Sequence, residues 1–216
     1  MEVLGSIPFL PQGRPSVSDQ ARLVAAFRDA RLAIRPLFEV GEVIAFEVVS
    51  ATPRAGVTFV SSNLALQFAE AGYRVLLVDA GTTQRAAAAL LGTGGTPSLG
   101  DYLDYRAELN DVLKETAYAR LFVAPLGRAS MAVVNDVGPR RHELPTDLTA
   151  RFDVVIVDRT VPDTCAAIVV PSVLYGSCVL VTDSDAPRDL AAPQELGSSG
   201  GRTMGRILGV VRNGVR

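Results

Sequence analysis

The chain has 216 residues, 48% of them hydrophobic and 20% charged, enough to bury one large core in a single domain. A net charge of -2 without any run of basic residues gives no general attraction to nucleic acid or anionic lipid. No apolar run reaches the roughly 18 residues of a membrane span, and "MEVLGSIPFLPQG" lacks the basic start of a secretory leader, so neither direct membrane insertion nor export is expected.

Residues 1–18, with Pro8, Pro11, Gly13 and Pro15, read as an irregular arm ahead of a domain covering 19–216. "VSDQARLVAAFRDARLAIRPLF" then carries apolar residues at helical spacing, with Ser18 or Asp19 to cap it and Pro36 to end it. Strands follow at "VIAFEVVS", "RVLLVDA", "LFVAPLG", "FDVVIVDR", "SCVLVTD" and "ILGVVRN", mostly continuous apolar runs that imply burial on both faces. Helical stretches at 60–71, 85–91, 98–116 and 187–195 separate them. This alternation predicts an α/β fold: one mostly parallel sheet with helices on both faces. Residues 128–148, which hold the sole histidine, His142, are polar and read as a loop over the carboxyl ends of the strands. "ELGSSGGRTMGR" reads as a second flexible tract. Cys165 and Cys178 lie in or beside apolar strand-like stretches and read as small core residues in a reducing cytoplasm.

Ligands in such a sheet sit beyond the carboxyl ends of the strands, and three endings converge there. The first main strand runs into "SATPRAGVTF" and then a helix, the second ends in Asp79, and the fourth ends in Asp158. A nucleotide-hydrolysing fold uses this spacing to set a phosphate loop beside two metal-directed carboxylates. Taken singly, each aspartate is better explained as a helix cap or turn residue after a strand; together with the loop they point to a site.

The ordered set resembles the cytoplasmic kinase domain of bacterial tyrosine kinases of the polysaccharide co-polymerase system, within the deviant Walker ATPases. "SATPRAGVTFVSSNLA" stands in place of the phosphate loop, "GYRVLLVDAGTTQ" and "FDVVIVDRTVP" in place of the Walker-type strands, and "SLGDYLDYRAELNDVL" with "LFVAPLG" in place of a further family segment. The resemblance implies a P-loop NTPase-like fold, ATP and magnesium as cofactors, and contact with an inner-membrane co-polymerase of the chain-length determinant type. It places the nucleotide site at Arg54, Gly56, Val57, Thr58 and Asn213, and the metal and catalytic carboxylates at Asp79 and Asp158, with Thr58 also on the metal. Asn213 takes the position of an adenine-reading residue, although a turn residue in "RNG" explains it equally well.

Departures fall on the chemistry. Val57 stands where the family carries lysine, and Arg54 where it carries a glycine. Phosphoryl transfer depends on positioning and charge neutralisation, so an isopropyl group there removes a cation from the β- and γ-phosphates. Lys114, the only lysine, lies in another segment, and an arginine at position 54 has a different reach from an ammonium. Phe59 would fill space with its ring. Arg159, next to Asp158, could satisfy that carboxylate in place of magnesium. The family's tyrosine-rich tail is missing from "GVVRNGVR", and the pair Tyr102 and Tyr105 reads as helix packing. Arg28 and Arg31 match the basic positions of the family's ring-forming helix, whereas Ala25 replaces its acid, so self-association is open. The expectation is a pseudokinase with a degenerate Walker A loop that serves exopolysaccharide polymerisation, chain-length control or export. It would hold no cofactor and would lie in the cytoplasm, recruited to the inner membrane by its partner. Alternatives are an active ATP-dependent tyrosine autokinase or ATPase, and a ParA-like or MinD-like positioning ATPase.

Overall fold

The computed structural model describes residues 2–9, 16–50, 54–80, 86–94, 96–127, 139–159, 177–183 and 206–215. In chain order its elements are β1 (Val3–Pro8), α1 (Val17–Ile34), β2 (Ile44–Val49), α2 (Val57–Glu70), β3 (Val75–Asp79), α3 (Ala86–Leu90), α4 (Leu99–Leu103) and α5 (Leu109–Val112). β4 (Lys114–Glu115), β5 (Leu121–Pro125), α6 (Pro139–Thr149), β6 (Val154–Asp158), β7 (Ser177–Asp183) and β8 (Arg206–Val215) follow. The strands form one 8-stranded sheet in the order β1-β8-β7-β2-β6-β3-β5-β4. All pairings are parallel except β4 with β5. The six strands expected from apolar runs are all present, and the α/β class stands.

Alternation along each strand divides the core in two. Phe46, Val48, Leu77, Ile156 and Val179 face α1, α2 and α3, whereas Leu76, Val78, Val155 and Val157 face α4, α5 and α6. Phe27, Phe46 and Phe68 are fully buried on the first face, each contributing about 2–3 kcal/mol of apolar burial. Phe68 and Tyr73 meet edge to face at 5.7 Å. α2 stops where Gly72 turns to φ +95, with the Tyr73 amide donating to Phe68 O at 3.2 Å, the usual way to satisfy last-turn carbonyls.

The structure corrects four expectations. Residues 3–8 are not an irregular arm but the edge strand β1, parallel to β8, with Leu4 and Ile7 buried. The cap of α1 is Ser16, in a capping box with Asp19, rather than Ser18. The stretch 98–116 is two short helices and a strand, because Tyr105 adopts φ +58 and breaks the helical path. The second half of the expected loop 128–148 is α6, which carries His142 exposed on its surface. Leu144 and Leu148, spaced by four, bury its inner face beside Phe152, which follows the helix. The expected helix at 187–195, the tract from 195 up to Arg206, and Cys165 lie outside the described residues. No helix among the described residues is long and apolar enough to cross a membrane.

Candidate functional site

Strand parity builds the site. Phe46 and Val48 of β2 point toward α2, and Ser50, just past the strand, follows them with 3% exposure. Leu77 is followed in the same way by Asp79, and Ile156 by Asp158, each 1% exposed. Val48 and Asp79 both register with Asp158, so the two carboxylates stand on adjacent parallel strands at the carboxyl end of the sheet, on the side where α2 begins. Asp79 Oδ2 accepts the Ala88 amide of α3 at 2.9 Å, which makes Asp79 a helix-anchoring residue as well. Its backbone carbonyl accepts the Leu126 amide, and that of Asp158 accepts the Ala80 amide, fixing the ends of the strands. Ser50 drew no attention in the sequence; its signal was the two-residue step beyond Val48.

The loop ahead of α2 makes two left-handed turns, at Arg54 (φ +64) and Gly56 (φ +84). Glycine makes this conformation without strain at position 56, whereas Arg54 holds it at a cost of about 1 kcal/mol. The Arg54 side chain is exposed. Val57 opens α2 with its side chain 6% exposed, inside the aliphatic cluster of the first face. Phe59 packs edge to face on Phe27 of α1, ring centroids 5.6 Å apart, and Thr58 is half-buried beside it. Asn213, on β8 rather than in a turn, donates from Nδ2 to Ala55 O at 2.9 Å.

Arg159 does not serve Asp158 as expected. Consecutive strand residues point to opposite faces, and its guanidinium crosses to Glu47 of β2, Nη1 to Oε2 at 2.9 Å. Cys178 registers beside Glu47; burial, reinforced by the Glu47 charge and opposed by Arg159, pushes its thiol up to about 11. Lys114 lies on β4, four inter-strand spacings from β2 or roughly 19 Å, and donates to the Asp111 carbonyl. It cannot replace a cation at position 57. Tyr102 is buried and Tyr105 is 60% exposed outside the helix; Arg140 stacks between their rings at 4.5 and 4.4 Å.

Among the described residues, the loop and first turn of α2 thus offer left-turning backbone, the Thr58 hydroxyl and two nearby carboxylates, but no cation after Arg54. Position 57 itself carries an apolar side chain, 6% exposed.

No protein-family model matches the chain. The tyrosine-protein kinase CpsD of Streptococcus agalactiae is 29% identical over 179 residues, covering 78% of this chain and 76% of CpsD. The tyrosine-protein kinase Etk of Escherichia coli strain K12 is 30% identical over 157 residues, covering 71% of this chain and 21% of Etk. Over most of its length the chain is similar to bacterial tyrosine kinases. The solved kinase domain of Escherichia coli Etk superposes with a TM-score of 0.77 at 24% identity, covering 99% of this chain and 90% of that domain. The septum site-determining protein MinD of Pyrococcus horikoshii, solved with Mg-ADP, gives a TM-score of 0.55 at 22% identity over 77% of this chain and 69% of its own, a likeness of fold. These likenesses match the P-loop NTPase-like fold that the family resemblance implied.

Proposed function

We propose that this tyrosine-kinase-like chain is catalytically degenerate and assists exopolysaccharide polymerisation, chain-length control or export by contact with an inner-membrane co-polymerase. It works in the cytoplasm, is drawn to the membrane by that partner, and self-associates only if contacts other than the missing acid at Ala25 supply the interface. Arg54, Gly56, Val57, Thr58 and Asn213 are then a vestigial nucleotide site, and Thr58, Asp79 and Asp158 vestigial metal positions, with no cofactor held. The observation that carries this reading is Val57: the position that would present an ammonium to the phosphates instead contributes a branched apolar group to the core.

A second reading, an active ATP-dependent tyrosine autokinase or ATPase, draws on the register of Asp79 beside Asp158 at the start of α2. A positioning ATPase of the ParA or MinD kind rests on the shared fold and lacks the same lysine.

Calorimetric titration with ADP and a non-hydrolysable ATP analogue, in magnesium and in EDTA, separates these readings. The wild type is expected to give no heat at millimolar nucleotide, and a Val57→Lys, Arg54→Gly double variant to regain magnesium-dependent binding. Magnesium-dependent binding by the wild type overturns the degenerate reading and makes Arg54 and Asp158 the residues to mutate next.

A further inference from the structure

We infer that Asn213 and Gly56 form a latch that holds the loop ahead of α2 in place with no nucleotide present. Asn213 is a positioning residue in this view, and the inference rests on the reading that the loop is not organised around a triphosphate. Three observations carry it. Asn213 Nδ2 donates to Ala55 O at 2.9 Å, tying the end of β8 to a loop 158 residues away in sequence and two strands away in the sheet. A Cβ built on Gly56 would lie 2.3 Å from the same Nδ2, so the amide occupies the notch that only a glycine leaves open. Asn213 is itself held from behind, because it registers with Ile7 of β1, whose side chain is fully buried, and with Asp183 of β7.

Glycine at position 56 therefore meets two requirements, the left-handed φ and the close approach of an amide from a distant strand. A carboxamide suits this place. It donates to the Ala55 carbonyl, and its amide nitrogen takes the space that a Cβ on Gly56 would fill. One N–H of Asn213 is spent on the protein itself. Two of the residues that look like remnants of nucleotide recognition, Gly56 and Asn213, are thereby explained by loop geometry without a ligand.

Amide hydrogen exchange on the full chain without nucleotide tests the latch in the wild type, Asn213→Ala and Asn213→Asp. The reporter is the Val60 amide, which donates to Gly56 O at 2.9 Å in the first turn of α2, with β3 and β6 amides as an internal reference. Loss of one such hydrogen bond is expected to speed exchange at Val60 about tenfold in both variants while the reference strands keep their rates. Asn213→Asp keeps the shape and loses the donor, so wild-type exchange in that variant would sink the idea and leave Asn213 as space-filling only. A cycle with Gly56→Ala gives an independent measure: its effect on the unfolding equilibrium is expected to be at least fivefold smaller in the Asn213→Ala background, roughly one kcal/mol of coupling. Equal effects in both backgrounds would also overturn the latch. Because exchange is read without nucleotide, calorimetric failure of the degenerate reading leaves this result to stand or fall separately.

Discussion

Val57 begins α2 buried within the core cluster of the first face, and this burial gives a polar replacement a cost that sequence alone does not state. Replacing it with lysine puts an ammonium at a position that is now apolar and buried. Val57→Lys by itself is expected to lower the unfolding free energy by about 1–3 kcal/mol in urea titrations without nucleotide. An unchanged midpoint would mean that the side chain at 57 points freely to solvent. Which residues stand at 54 to 58 was legible in the sequence, as was the absence of a lysine among them. That Arg54 takes the left-handed conformation and that Arg159 reaches Glu47 were not, since both depend on backbone direction and strand parity.

Among the elements, those with continuous apolar runs were legible and those built on local hydrogen bonds were less so. β1 reads "VLGSIP", and its Gly5 and Pro8 look like loop residues until Gly5 is seen to lie where a Cβ would come 2.8 Å from Ala30 of α1. α4 depends on a capping box in which Ser98 and Asp101 serve one another. The Ser98 hydroxyl holds the Asp101 carboxyl below the usual range, with Arg106 helping and partial burial opposing. A lowered folded value stabilises the protein above the ordinary carboxylate range, and that share fades as pH falls below about 4. Ser98→Ala is expected to cost about 1 kcal/mol at pH 7, with the gap from wild type narrowing at pH 3 in chemical denaturation. A gap of the same size at both pH values would show that the box does not involve the ionised carboxylate.

At the scale of the whole molecule, β1 closes one edge of the sheet through small residues. A Cβ on Gly209 of β8 would sit 2.6 Å from Leu4 Cγ and 2.8 Å from Glu2 O, both on β1 or its approach. Gly209→Ala is therefore expected to displace β1 and lower stability by about 1–3 kcal/mol, with faster exchange confined first to β1 and β8. Uniform loss across the sheet with β1 protected would contradict this. The sequence by itself determined the α/β class, the main strands, and the identity of the loop and carboxylate residues, because apolar runs and their polar endings are local properties. Tertiary structure alone decided that Asp79 and Asp158 stand side by side, that Arg159 reaches Glu47 on the neighbouring strand, that Lys114 lies at the far edge, and that Asn213 reaches Ala55. Each of these joins residues far apart in the chain, and only strand order and register bring them within hydrogen-bond reach or hold them beyond it.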